Sequence, residues 1–224
     1  MSSNRSSMNS PRTTSAPSDA STQPRLVLAT RNRKKRDELR ALLQPYGLDV
    51  LSLDDCRPLP EVVEDGQTFA ENAAKKASEV AAALGEWTIG EDSGIEVEAL
   101  DGRPGVYSAR YSGPGATDQS NNELLISELD GVPPEGRGAR YVCHVALADP
   151  TGSIRLQVED YCHGRITTEP RGSNGFGYDP YFLVREYHRT FGELEPIVKR
   201  QLSHRGRTLR RMLPEMRRLV GEAL

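Results

Sequence analysis

Four short polar clusters constrain this chain more than any other feature, because each falls where a chain building only a core would place apolar side chains. They are Thr30-Arg31-Asn32-Arg33-Lys34-Lys35, Gly90-Glu91-Asp92-Ser93-Gly94, Phe176-Gly177-Tyr178-Asp179-Pro180 and Ser203-His204-Arg205-Gly206. Between them they offer cations for phosphate, carboxylates for a divalent metal, and an aromatic ring with polar neighbours for a base. That inventory points to a nucleoside triphosphate site.

The elements around the clusters predict an α/β fold. Arg25 to Thr30 is a buried-strand run. Asn32 then caps a helix through about Pro45, with Leu39, Leu42 and Leu43 facing inward. Leu48 to Leu53 alternates as a second strand, giving strand, helix, strand. An acidic loop from Asp54 to Gly66 leads to a long helix from about Thr68 to Leu84. Trp87 to Gly90 reads as a short strand ending at the Glu91-Asp92-Ser93 cluster, and Gly94 to Leu100 continues extended. The glycine-rich stretch from Gly102 to Gly115 is a long loop or lid. A polar helix fits Asp118 to Leu129. Arg140 to Ala148 and Ile154 to Gly164 alternate as a hairpin, and Tyr181 to Val184 is a further strand. The last helix runs from about Ser203 to Val220, where Pro214 should kink it. The hairpin makes the sheet mixed rather than wholly parallel.

Residues 1–24 are rich in Ser, Thr and Pro and poor in large apolar side chains. They cannot bury enough surface to offset ordering entropy, so a disordered tail is expected before one domain over 25–224. Charged residues make up 27% of the chain, yet the net charge is only -3. Global electrostatics therefore favours neither nucleic acid nor membrane. Three cysteines without metal-ligand spacing fit a reducing cytoplasm better than a disulfide framework.

Each cluster has a functional and a plainer reading. The basic first turn after Thr30 opposes the helix dipole, and a bound phosphate would reverse that penalty; a solvated basic turn is the alternative. Thr68 and Glu71 fit a capping box, but Glu71 is also placed to help hold a metal, and Lys75 or Lys76 to reach phosphate. Glu91 and Asp92 follow an apolar strand, where buried charge must be paired or metal-bound; magnesium takes one or two carboxylates plus phosphate oxygens. A turn capped by Asp92 and Ser93 is the plainer account. Phe176 is available to stack on a base and Asp179 to accept from ring N–H groups, unless Phe176 is simply core. His204 and Arg205 follow an N-cap serine, again the wrong helix end for unpartnered cations. Arg205 can fork two hydrogen bonds to a purine carbonyl or a phosphate, with Lys199 close by.

Six strings in order make the pattern specific. They are Leu-Ala-Thr-x-Asn-x-x-Lys at 28–35, Thr-Phe-x-Glu-Asn-Ala-x-x-Lys-Ala at 68–77, Glu-Asp-Ser-Gly at 91–94, Pro-Gly-Val-Tyr-Ser-Ala-Arg-Tyr-Ser-Gly at 104–113, Gly-Phe-Gly-Tyr-Asp-Pro at 175–180 and Leu-Ser-His-Arg-Gly at 202–206. From about Leu26 to Leu213 the chain resembles the inosine/xanthosine triphosphate pyrophosphatase family. The resemblance implies an elongated mixed sheet flanked by helices, two lobes around a central nucleotide cleft, and a homodimer. It implies Mg²⁺-dependent hydrolysis of ITP, dITP and XTP to monophosphate and pyrophosphate, with no stable nucleic-acid complex. Carried over by position, Thr30, Asn32 and Lys35 hold phosphates, alongside the neighbouring Arg31, Arg33 and Lys34. Glu71 and Asp92 organise Mg²⁺, and Asp92 is the base. Ser93 and Lys199 contact substrate; Phe176, Gly177, Tyr178 and Asp179, with His204 and Arg205, form the base pocket. Arg31 and Arg33 depart from the small residues common in the first string. Two rival readings are a Maf-like pyrophosphatase for other modified nucleotides and a nucleotide- or RNA-binding protein without turnover. The Ser203-His204-Arg205 string argues against the first. Retention of Asp92 and Glu71 argues against the second.

Overall fold

A computed structural model describes residues 25–221; the expected disordered tail lies outside the described residues. Seven strands form one sheet in the order β2-β1-β3-β4-β5-β6-β7. They are β1 (Arg25–Leu28), β2 (Asp49–Ser52), β3 (Thr88–Val97), β4 (Gly138–Ala148), β5 (Ile154–Ile166), β6 (Phe182–Val184) and β7 (Arg189–Thr190). The helices are α1 (Arg33–Leu43), α2 (Phe69–Leu84), α3 (Asp118–Glu128), α4 (Pro196–Leu202) and α5 (His204–Gly221). Strand β1 pairs parallel with β2 and β3, and every later pairing is antiparallel. The sheet is therefore mixed, as the hairpin signal required. Among the described residues, no helix is long and apolar enough to cross a membrane.

The central difference from the sequence expectation is β3. It does not stop at Gly90; it runs unbroken through the polar cluster to Val97, paired with β4 along its whole length. Side chains alternate across a strand. Ile89, Glu91, Ser93 and Ile95 therefore share one face, and Gly90, Asp92 and Gly94 share the other. Ile89 joins one core, built with Leu39 and Leu43 of α1 and Leu209, Met212 and Met216 of α5. Ile95 joins a second core, with Leu125 of α3, Tyr141 and Phe182. Two lobes are thus threaded on the same strands, and Glu91 and Ser93 occupy the polar belt between them.

The opposite face of β3 is built for close approach. A side chain at Gly90 would run into the Ala73 carbonyl of α2, and one at Gly94 would run into Ser108 and the Gly105 carbonyl. Glycine at both positions lets helix and turn pack directly on either side of Asp92. The loop expected from Gly102 to Gly115 contains a 3₁₀ turn over Gly105–Arg110. Helix α4 and strand β7, both short, were not expected. Helix α5 continues through Pro214, with Leu209, Met212, Leu213 and Met216 buried along its inner face.

Candidate active site

The basic cluster is fixed by its own backbone. Thr30 Oγ1 accepts from the Asn32 amide at 3.2 Å, and Asn32 Oδ1 caps α1 by accepting from the Lys35 amide at 3.1 Å. Helix α1 has no acidic residue in its first turn, so nothing on that turn itself offsets the positive end of its dipole. Lys35 reaches inward, its Nζ 3.3 Å from Glu91 Oε2. Arg31 turns aside and donates to the Leu59 carbonyl at 2.8 Å, pinning the acidic loop. Lys34 reaches Asp118 on α3, with Nζ 3.1 Å from Oδ2. Arg33 is exposed.

Asp92 is buried and held by α2. Asn72 Nδ2 donates to one oxygen at 3.1 Å, and Lys76 Nζ to the other at 3.1 Å. Asn72 and Lys76 are four residues apart, hence on one helix face. Burial pushes the Asp92 carboxyl up, Lys76 and Lys35 oppose that, and Glu64 and Glu91 add to it. Lys76 also pairs with Glu64 Oε2 at 3.1 Å. Glu64 sits in the acidic loop, fixed from behind by Arg110, which donates to its carbonyl at 3.3 Å.

Glu71, half of the metal pair expected from sequence, has a competing role here. Glu71 Oε2 accepts from the Gln67 and Thr68 amides at 2.6 and 3.3 Å, completing the capping box. Its carboxylate serves the helix end, and Glu64 is the carboxylate that shares Lys76 with Asp92. Nor can Glu91 join Asp92 on one ion. Its carboxylate lies on the other face of the sheet, where Arg205 Nη2 donates to it at 3.1 Å. Burial opposes ionisation of Glu91, but Arg205 and Lys35 hold its carboxyl well below the usual carboxylate range.

The second half of the site gathers Phe176, Asp179, Lys199, His204 and Arg205. Asp179 is buried, and its oxygens are already committed: Oδ2 accepts from the Phe176 amide at 2.7 Å and from Lys199 Nζ at 2.7 Å, and Oδ1 from Tyr141 at 3.3 Å. Asp179 therefore shapes the loop from within the cavity it also lines. Tyr178 is likewise structural, its hydroxyl donating to the Ser108 carbonyl at 2.8 Å. Phe176 presents its ring to Lys199 at 4.9 Å and Arg205 at 5.9 Å. His204 stacks on Tyr141 at 4.6 Å with 5° between the planes. Burial first, and then Arg205, depress its imidazole well below the ordinary histidine value, so it is neutral near pH 7. Its Nδ1 and the Nε of Arg205 are buried without a hydrogen-bond partner. Orphaned buried donors and acceptors are costly unless something completes them, and both residues line the cavity below Phe176.

Glu38 links these groups and had no sequence signal. It accepts from Lys199 Nζ at 2.8 Å and from Arg205 Nη1. Arg205 also donates to Ser93 Oγ at 3.1 Å. One buried network thus ties α1, β3, α4 and α5 together.

Two cavities result. One, of about 230 Å³, is lined by Thr30, Glu64, Lys76 and Asp92. The other, of about 190 Å³, is lined by Phe176, Lys199, His204 and Arg205. Asn32, Lys35, Ser93 and Ala109 border both, so the cationic, carboxylate-bearing cavity opens beside the aromatic one.

The model of the Ham1 family matches residues 26–215. The chain belongs to the Ham1 family. Within it, the chain is 52% identical over 195 residues to the dITP/XTP pyrophosphatase of Rhodopirellula baltica, covering 87% of this chain and 94% of that one. It is 48% identical over 195 residues to the dITP/XTP pyrophosphatase of Desulforamulus reducens, covering 87% and 96%. Among solved Ham1 structures, the protein from Coxiella burnetii superposes with a TM-score of 0.79 at 35% identity, covering 87% of this chain and 98% of that one. The nucleoside-triphosphatase, dITP/XTP pyrophosphatase, of Mycobacterium abscessus gives 0.69 at 42% identity, covering 86% and 99%.

Proposed function

We propose that this Ham1 protein hydrolyses deaminated purine nucleoside triphosphates, dITP, ITP and XTP, to the monophosphate and pyrophosphate, and so clears them from the nucleotide pool. The observation that carries the reading is the pair of adjoining cavities: one holds cations and two carboxylates, the other an aromatic ring above unpartnered Arg205 and His204 atoms.

Phosphoryl chemistry is mostly positioning and charge stabilisation. The N-terminal amides of α1, Thr30, Asn32 and Lys35 bind the triphosphate. Asp92 is the base that orients water toward the α-phosphorus, and its raised carboxyl suits it to accept that proton. Lys76 holds the Asp92 carboxylate in place. Glu64 and Asp92 are hard oxygen donors facing the phosphate cavity, and they fit Mg²⁺, which prefers few carboxylates plus substrate oxygens. When bound there, Mg²⁺ supplies neutralising charge for the departing pyrophosphate. On the base side, the purine stacks on Phe176, and Arg205 donates to the 6-keto oxygen. Adenine offers an amino group at that position and leaves a buried donor unpaired, which can give large rejection factors.

The homodimer and the cytoplasmic placement belong to the same proposal. Sedimentation tests the first.

Hydrolysis of ITP in ¹⁸O-water tests the chemistry. Attack at the α-phosphorus puts the label in inosine monophosphate. Label in pyrophosphate, or release of orthophosphate, contradicts it.

A further inference from the structure

We propose that Asp118 and Lys34 are positioning residues for the base: Asp118 fixes the Phe176-Gly177 turn, and Lys34 ties that turn across the cleft to α1. The proposal rests on the reading of Phe176 as the stacking platform for the purine.

Gly177 is held from both sides by α3. Its amide donates to Asp118 Oδ2 at 3.0 Å, and its carbonyl accepts from Asn122 Nδ2 at 3.0 Å. Asp118 and Asn122 are one turn apart on the same helix face. Gly177 has φ +60, a left-handed conformation that side chains disfavour. The turn that aims Phe176 is thus set by two α3 side chains gripping a single peptide unit on each flank.

The oxygen that grips Gly177 also takes Lys34. Lys34 Nζ lies 3.1 Å from Asp118 Oδ2 and 5.6 Å from the Phe176 ring centroid. Lys34 belongs to α1, whose Leu39 and Leu43 sit in one core, whereas α3 contributes Leu125 to the other. The pair therefore spans the two lobes at the rim of the base cavity, which Asp118 itself lines.

Its exposure separates it from the other ties between the lobes. The Lys34 and Asp118 side chains are 58% and 55% exposed, against 7% and 22% for Lys199 and Glu38. An exposed pair is worth at most about a fivefold change in an equilibrium constant. A buried pair cannot be opened without stranding charge.

The test uses the full-length protein and four variants, D118A, D118N, K34A and the double variant D118N/K34A, each first checked for an unchanged melting profile. Asn at 118 keeps an acceptor for the Gly177 amide but loses the charge for Lys34. D118A is expected to raise KM for ITP about tenfold, since it removes a charged hydrogen bond as well as the pair. D118N and K34A are each expected to raise it about threefold, and together no further, because both break one pair. kcat stays within about twofold in all of them, as for loss of uniform binding. Inorganic tripolyphosphate, which has no base, serves as the control; its inhibition constant is expected to move less than about twofold. An unchanged KM in D118A overturns the proposal. So does a tripolyphosphate constant that rises in step with KM, which would make Lys34 a phosphate contact. If the wild-type protein turns over no nucleotide, the reading of the site has failed instead, and calorimetry with inosine monophosphate decides the tie by the same tenfold criterion.

Discussion

Glu91 and Asp92 are neighbours in β3, yet their carboxylates lie on opposite faces of the sheet: Arg205 Nη2 binds Glu91 at 3.1 Å, and Lys76 Nζ binds Asp92 at 3.1 Å. One strand therefore serves both halves of the site. Asp92 faces the cavity lined by Thr30 and Lys76, and Glu91 anchors the arginine of the cavity below Phe176.

Replacing Asp92 by Asn is expected to lower kcat by about 10³-fold or more, because it removes the base and a metal oxygen while keeping the shape. Nucleotide binding is expected to persist, since the amides of α1, Asn32 and Lys35 are untouched. Single-turnover kinetics and calorimetry on one preparation measure both. Turnover near the wild-type rate would remove Asp92 from the mechanism.

Glu64 and Glu71 separate cleanly. Glu64→Gln is expected to raise the Mg²⁺ concentration needed for half-maximal rate by about tenfold or more, by loss of a charged ligand. Glu71→Gln is expected to cost about 1 kcal/mol or less of stability through the capping box and to leave the Mg²⁺ dependence alone. Magnesium titrations of the two variants decide between them. A Mg²⁺ shift in Glu71→Gln alone would restore the assignment made from sequence.

Glu38→Gln leaves Lys199 and Arg205 short of a carboxylate in a mostly buried network. Breaking such a network by removing one partner costs about 3 kcal/mol. Denaturant unfolding is expected to show that loss, and KM for ITP should rise because Arg205 is no longer aimed. Stability within error of the wild type would mean that the Glu38 contacts carry little energy.

Acid should destabilise the fold in two stages. Folding depresses His204 well below its ordinary value of 6.5, so below that pH the unfolded chain binds the extra proton and stability falls. Glu91 is also held well below its ordinary 4.5, so its contribution is complete above that value and is lost as pH falls from there through its lower folded value. Melting temperature is expected to be flat from pH 8 to 7, to decline below about 6.5 and to steepen below about 4.5. In His204→Gln the first decline should disappear. An identical slope in that variant would place the proton elsewhere.

Much of the fold was legible because period and caps agreed. Asn32 and Thr68 cap helices α1 and α2 where their side chains predicted, and the hairpin of β4 and β5 follows its alternation. Strand β3 was misread at Gly90 because its polar residues look like a turn when only one buried face is imagined. Each face in fact has its own partners, Arg205 on one and Lys76 on the other. Glu71 reads two ways because a capping box and a metal carboxylate have the same local sequence. Glu64 and Glu38 were missed for the opposite reason: a loop glutamate and a helix glutamate carry no local signal, and only the tertiary approach of α1, α2 and the acidic loop gives them partners.

The most direct test of the whole account is kcat/KM for pyrophosphate release, with Mg²⁺, from ITP, dITP and XTP beside ATP, GTP and CTP. The account predicts rapid release from the first three, at least about 10²-fold slower release from the others, and loss of all release in EDTA. Equal or faster release from ATP, GTP or CTP would contradict the assignment of Phe176, His204 and Arg205 as the base pocket.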